Sequence, residues 1–452
     1  MKAFVYIVCV FVSAIASGVS RAQVPVGDDS LTSYAALFQE SPPGSATTPP
    51  LTLEDAEQIA VARSPEIAVA ARRVAVAQAH VPVAGALDDP TAMYRGWGVP
   101  LRQPWNYNDA QNMFSISQTF LGAGKRALRT SVAGSDVEVA KAQLDETRLE
   151  IRVRVHKAFD DLLLAQDEMQ IHRQHVAIAR QAIEAARIQY IVGKVPQQDI
   201  LKAQVALTSL AEHMIRFDHD ASLAQAKLNT LLGHDPDTPV HVSGEFAVVD
   251  VLPEARTLEA TALKSRPDLM ALEQAAARSH TEQSLAKKAY LPDFTVSGGY
   301  MLMPPGSERR NDYMVEGSIN LPWLNHRKHD AEIAEATART TEQDAELSAM
   351  RNVAFGQIQG ALVDAQAAQK LAHMYHDQLR PQAEATLESS VIAYENDKTS
   401  FLNLLDSQMT VINVDLAWLD AVADFDARLA DLELATGTPF ELPSMPATEV
   451  KP

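Results

Sequence analysis

Tyr190-Ile-Val-Gly-Lys194 and Tyr394-Glu-Asn-Asp-Lys398 are two versions of one turn, 204 residues apart, and their pairing decides the fold. At the same offset Ile200-Leu201 pairs with Leu404-Leu405, Gln204 with Gln408 and Gly233 with Gly437, while Pro65-Glu66-Ile67 finds Pro267-Asp268-Leu269 at nearly that spacing. The chain is an internal duplication, and each copy reads as one supersecondary unit.

Outward from the turns, the elements of a copy follow in order. Residues 53–84 and 258–289 are rich in Ala, Glu, Gln and Arg at helical spacing, each broken early by a proline, Pro65 or Pro267. Further on, residues 125–192 and 329–396 run without a glycine pair to stop them. At ~1.5 Å per residue, such a helix reaches about 100 Å. From Ile151 the positions Val155, Ala158, Leu162, Ala165, Met169, His172, Val176, Ala179, Ile183, Ala186 and Tyr190 follow in alternating steps of four and three. This spacing predicts a coiled-coil seam with a small-residue bias. Turns at 193–197 and 397–400 then return the chain along a second helix to Leu232 and Ala435.

Between the first helix and the long one, each copy changes character. Residues 87–97 and 113–120, then 294–303 and 313–321, are enriched in Gly, Thr, Ser, Tyr, Trp and Met and are joined by Pro/Asn/Asp-rich loops. Phe294-Thr-Val-Ser-Gly-Gly-Tyr300 alternates large apolar with small or polar side chains, as a strand between lipid and water should. Tyr290, Tyr300, Tyr313, Trp97, Trp105 and Trp323 gather in these regions, as aromatic girdles at bilayer surfaces or as loop packing.

The 452 residues, 46% of them hydrophobic, can bury a sizeable core; the net charge of −19 and the absence of a long basic run argue against nucleic acid as a partner. Lys2, the apolar stretch 3–15 and Ser20-Arg21-Ala22 predict a signal peptide over 1–22, the stretch being short of the roughly 20 residues of a spanning helix. Cys9 lies within it, so the exported chain is expected to have no thiol or disulfide. No later apolar segment is long enough to cross a bilayer as a helix, and a closed barrel is the remaining route. The expected division is an extended linker over 23–50, repeat 1 over 51–240, a linker over 241–254, repeat 2 over 255–440 and a tail over 441–452.

Chemistry-bearing patterns are sparse. His172 and His175, and His373 and His376, stand at i, i+3 and are the candidates for a metal role, but no Cys, Asp or Met cluster completes a set. Gly122-Ala-Gly124-Lys125 lacks the phosphate-loop spacing and reads as a strand-to-helix turn. Asp88-Asp89 and Asp235-x-Asp237 adjoin prolines at element boundaries and read as caps or turns; no nucleophile and base stand at a familiar spacing, so neither enzyme activity nor a cofactor is expected.

Leu51-Thr-Leu-Glu-Asp-Ala with Ser64-Pro65-Glu66, and the paired turns followed by Asp199-Ile-Leu-Lys-Ala-Gln204 and Asn403-Leu-Leu-Asp-Ser-Gln408, carry a resemblance to the TolC-like outer membrane efflux protein family from Leu51 to Gly437. That resemblance implies a homotrimer of two tandem helix, β-hairpin, helix repeats, with four strands per chain in one twelve-stranded outer-membrane barrel above a helical periplasmic tunnel. It implies passive efflux of metal cations or small toxic compounds, delivered by a periplasmic adaptor (membrane fusion) protein and an inner-membrane pump of RND type. Tyr394, Asn403 and Asp406, with Asp199 in the first copy, correspond to the closed entrance, where Asn403 replaces an acid of the family pattern. Tyr190, Gly193, Lys194, Asp397 and Lys398 correspond to the turns that meet adaptor or pump. Gln118-Thr-Phe-Leu-Gly-Ala-Gly-Lys-Arg126 and Leu379-Arg-Pro-Gln-Ala-Glu384 resemble the heavy-metal efflux branch. The alternative is a periplasmic coiled-coil scaffold or adaptor without a barrel.

Overall fold

A computed structural model describes residues 50–99, 101–308, 311–396 and 398–439. The expected signal peptide over 1–22, the expected linker up to residue 49, Asp397 and the expected tail over 441–452 lie outside the described residues.

Local chemistry sets the first breaks in the chain. Helix α1 (Leu53–Arg63) starts at Thr52, whose hydroxyl accepts from the Asp55 amide. Ser64 ends α1 and caps α2 (Pro65–Gly85), accepting from the Ile67 amide with Pro65 in the first turn, where its missing N–H costs nothing. Strands β1 (Thr91–Trp97) and β2 (Gln111–Phe120) follow, then α3 (Lys125–Ile191, 67 residues) and α4 (Gln197–Leu232). The second copy runs α5 (Ala255–Ser265), α6 (Pro267–Lys287), β3 (Phe294–Leu302), β4 (Asn311–Ile319), α7 (His326–Met374), a π-helical turn at Tyr375–Leu379, α8 (Arg380–Glu395) and α9 (Phe401–Thr436).

The copies match in length: 11 residues in α1 and α5, 21 in α2 and α6, 36 in α4 and α9. Both return helices end at a left-handed glycine, Gly233 at φ +70° and Gly437 at φ +79°. At Gly437 a Cβ would also lie 2.7 Å from Arg266 Cα, so the repeat-2 helices close on each other only through glycine.

Two expectations need adjusting. The second long helix is not uniform: Pro381 has no amide to donate and its ring crowds the carbonyl four residues back, and the backbone widens into the π turn just before it. The strands are also offset from the sequence-based ranges. β1 starts at Thr91, after Pro90, while polar Gln111, Asn112 and Asn311 join the ladder, because backbone pairing does not require apolar side chains.

The seam positions of α3 are buried from Ile151 to Ala186 with Met169 half-buried, and Tyr190 is exposed. Around them Ala56, Ala60, Ile67, Phe159, Leu162, Leu228 and Leu232 form the repeat-1 core. The inter-repeat segment ties the copies together. Leu51 bonds through its backbone to His241 and Ser243, and Val248, Val249 and Leu252 pack on Ala368, Phe425 and Leu429. Among the described residues no helix is long and apolar enough to cross a membrane.

Candidate functional site

The four strands form one antiparallel sheet in the order β1-β2-β3-β4. Cross-strand register sorts its side chains. Tyr94 faces Phe114, Phe114 faces Tyr300, and Tyr300 faces Tyr313; on the same side Ile116, Gly298 and Val315 align, and Phe120, Phe294 and Ile319. The opposite side carries Thr91, Ser117, Ser297 and Glu316 in one row, and Arg95, Met113, Met301 and Asp312 in another. One face is therefore mainly apolar, while the other mixes Thr, Ser, Glu, Arg and Asp with Met93, Met113, Met301 and Met314; Tyr313 and Val315 are more than four-fifths exposed on the apolar side. Aromatic pairs close both ends of that face: Phe120 stacks on Phe294 at 5.3 Å near the helices, and Tyr94 meets Phe114 at 5.1 Å toward the far loop. Trp97 and Trp105 lie exposed at the loop end and Trp323 at the helix end.

At the opposite end are the two turns. In the first, the Gly193 amide donates to Tyr190 O and the Lys194 amide to Gln189 O, a helix stop that requires the left-handed Gly193, φ +75°. Asp199 is buried in the first turn of α4. Tyr190 and Lys194 are exposed, as are Ile188, Ile191, Val192, Leu201 and Val205, which leaves this tip largely apolar. In the second turn, the Lys398 amide donates to Ala393 O, and Ser400 caps α9 by accepting from the Asn403 amide. Tyr394 packs edge-on against Phe401 at 6.0 Å. The Asn403 amide side chain bends back to Thr399 Oγ1, 3.0 Å, while Asp406, one helical turn on, is exposed. Asn403 and Asp406 thus share a surface, and Asp199 stands apart from solvent.

The histidine pairs are placed differently from each other. His172 is fully buried, with Nε2 3.1 Å from Leu210 O and its ring against His213 and Phe217. Burial pushes its pKa down to about 4, so it is neutral. His175 is also buried and neutral-leaning for the same reason, its Nε2 3.7 Å from Asp415. His373 and His376 both reach Asp377, at 3.7 and 2.8 Å, in the π turn. None of these four belongs to a convergent ligand set among the described residues; the set that does converge is His156, Asp160 and Asp426. The sequence signal for it was His156 and Asp160 at i, i+4 on α3, which scanning for histidine pairs passes over.

The sequence pattern of the family described as outer membrane efflux protein matches residues 57–234 and 258–438, the two copies in turn. The chain is 24% identical over 394 residues to the cobalt-zinc-cadmium resistance protein CzcC of Cupriavidus metallidurans, covering 86% of this chain and 90% of that one. It is 22% identical to nodulation protein T of Rhizobium leguminosarum bv. trifolii, covering 84% of each. Its fold superposes on the outer membrane protein VceC of Vibrio cholerae with a TM-score of 0.70 at 19% identity, covering 86% of this chain and 97% of that one. The chain belongs to the outer membrane efflux protein family: it is not an enzyme but an outer-membrane efflux protein that extends into the periplasm.

Proposed function

We propose that three copies of this chain close their four-stranded sheets into one twelve-stranded barrel and conduct substrate passively outward. The observation that carries this reading is the two-faced sheet. Its mainly apolar side suits lipid, its other side carries the charged and hydroxyl groups Arg95, Asp312, Glu316, Ser117 and Ser297 that a wet lumen would solvate, and β1 and β4 are edge strands without a further partner among the described residues. An open edge is not tolerated in a bilayer, and β2, β3 and β4, at 10, 9 and 9 residues, have the length of a tilted crossing, with β1 shorter at 7. Pairing β1 of one copy with β4 of the next satisfies both edges, and three sheets of four strands make a barrel of adequate size. A soluble scaffold would leave Tyr313, Val315, Ile116 and Phe114 in water.

In this reading the turns at Tyr190 to Asp199 and Tyr394 to Asp406 meet a periplasmic adaptor and an RND-type inner-membrane pump, the exposed apolar side chains of the first tip supplying contact area. Tyr394, Asn403 and Asp406 border the entrance, with Asp406 its main acidic group. The cargo is metal cations or small toxic compounds; the name of CzcC as a cobalt-zinc-cadmium resistance protein favours the former. Native mass measurement of the detergent-extracted protein tests the assembly: a trimer supports it, and a soluble elongated monomer in the absence of detergent removes the barrel.

A further inference from the structure

Four titratable side chains that conduction does not require meet between α3 and α9. His156 Nε2 lies 3.6 Å from Asp160 Oδ2 and 3.8 Å from Asp426 Oδ2, and its Nδ1 lies 4.0 Å from Glu433 Oε2. One donor atom each from His156, Asp160 and Asp426 fits within 4.8 Å of the others. The Asp160 side chain is 7% exposed, and its Oδ2, the oxygen facing His156, accepts no hydrogen bond. A covered carboxylate oxygen without a donor carries a desolvation penalty that some positive group should relieve.

One imidazole facing three carboxylates is a mixed nitrogen and oxygen donor set without sulfur. Ligand atoms at the corners of a tetrahedron with bonds of about 2.0–2.1 Å stand roughly 3.3 Å apart, close to the spacing around His156 Nε2. A carboxylate on the far ring nitrogen is what orients and strengthens a ligating histidine, and Glu433 occupies that place. We propose that His156, Asp160 and Asp426 bind one divalent transition-metal ion of the zinc and cobalt class, with Glu433 accepting from the far nitrogen of His156. The ion pins the outgoing helix of repeat 1 to the returning helix of repeat 2. At the offset that aligns the copies, Gly360 stands in place of His156 and Ser222 in place of Asp426, so each chain carries the site once.

Burial opposes charge on His156, but Asp426, Asp160 and Glu433 outweigh it and push its pKa up to about 9. Burial raises Asp160, with Asp426, Asp161 and Glu433 adding to the effect and His156 opposing it.

The test uses full-length, chelator-stripped protein in detergent, titrated with Co2+ and followed by visible absorption. The expected result is saturation at one ion per chain and displacement by Zn2+. Asp160→Asn and Asp426→Asn should each lose the band, Glu433→Gln should weaken cobalt binding about 10- to 100-fold, and the exposed pair His373→Gln, His376→Gln should leave it intact. No saturable band in the unmodified protein, or an unchanged band in Asp160→Asn, overturns the proposal. Helical circular dichroism and assembly size report folding; where an Asp→Asn variant fails to fold, Glu433→Gln decides, and unchanged affinity there overturns the site. These readouts do not depend on what the channel carries.

Discussion

Lys125, the first residue of α3, reaches across the chain to Asp293, the residue before β3, with Nζ 2.8 Å from Oδ1. Lys125 also donates to Leu291 O, Asp293 Oδ1 accepts from the Gly122 amide at 2.6 Å, and the Asp293 amide donates to Asn320 Oδ1 just past β4. The point where β2 leaves the sheet for the long helix α3 is thus tied to the start of β3 and the end of β4. At the same place a Cβ on Gly122 would lie 2.8 Å from Pro292 O, so the close approach needs glycine.

Lys125→Met removes the charge and keeps the stem. Both partners of this ion pair are largely covered, and a hydrogen bond to a charged group contributes about 1.5–3 kcal/mol. The expected outcome is a loss of that order in denaturant stability, with Asp293→Asn showing a similar loss and the double variant losing less than the sum. Additive losses would show that the two residues act separately.

Adjacent glycines in β3 should respond in opposite ways. A Cβ on Gly299 would stand 2.9 Å from Phe114 O and 3.1 Å from Ser115 Cβ, whereas nothing lies within 4 Å of one on Gly298. Gly299→Val should cost about 1–3 kcal/mol and lower the yield of assembled protein in outer membranes, while Gly298→Val, on the apolar face, should assemble normally. Quantifying trimer in membrane extracts of the two variants checks this.

The duplication, the helices and the existence of the strands were legible in the sequence because they rest on period and spacing. Tyr190 and Tyr394 fall in equivalent turns, and the seam from Ile151 onward is buried as the steps of four and three require. Strand ends were less legible, since Gln111, Asn112 and Asn311 pair through their backbones despite polar side chains. The π turn was hidden because Pro381 sits in an otherwise uninterrupted helical pattern. The His156 cluster was hidden because Asp426 and Glu433 are brought to it by the packing of α9 on α3, a contact between distant segments that no local spacing encodes.

Acid should loosen the helical core through His172. Its folded pKa, about 4, lies below the ordinary 6.5, so its contribution is fully present above pH 6.5 and is lost as pH falls through that value toward 4. The loss by pH 4 is on the order of 3 kcal/mol, and His172→Phe should reduce it. Urea unfolding followed by helical circular dichroism from pH 7 to pH 4 gives the comparison; an equal acid slope in the variant would assign the effect elsewhere.

Planar-bilayer recording of single channels from the purified, detergent-extracted protein, comparing unmodified chain with Asp406→Ala at low and high divalent cation, tests the conduction claim most directly. Small, cation-selective steps blocked by divalent ions are expected, with the block weakened or lost in Asp406→Ala under the proposal that Asp406 is the main acidic group of the entrance. Failure to insert, with a soluble elongated species in its place, would contradict the channel itself.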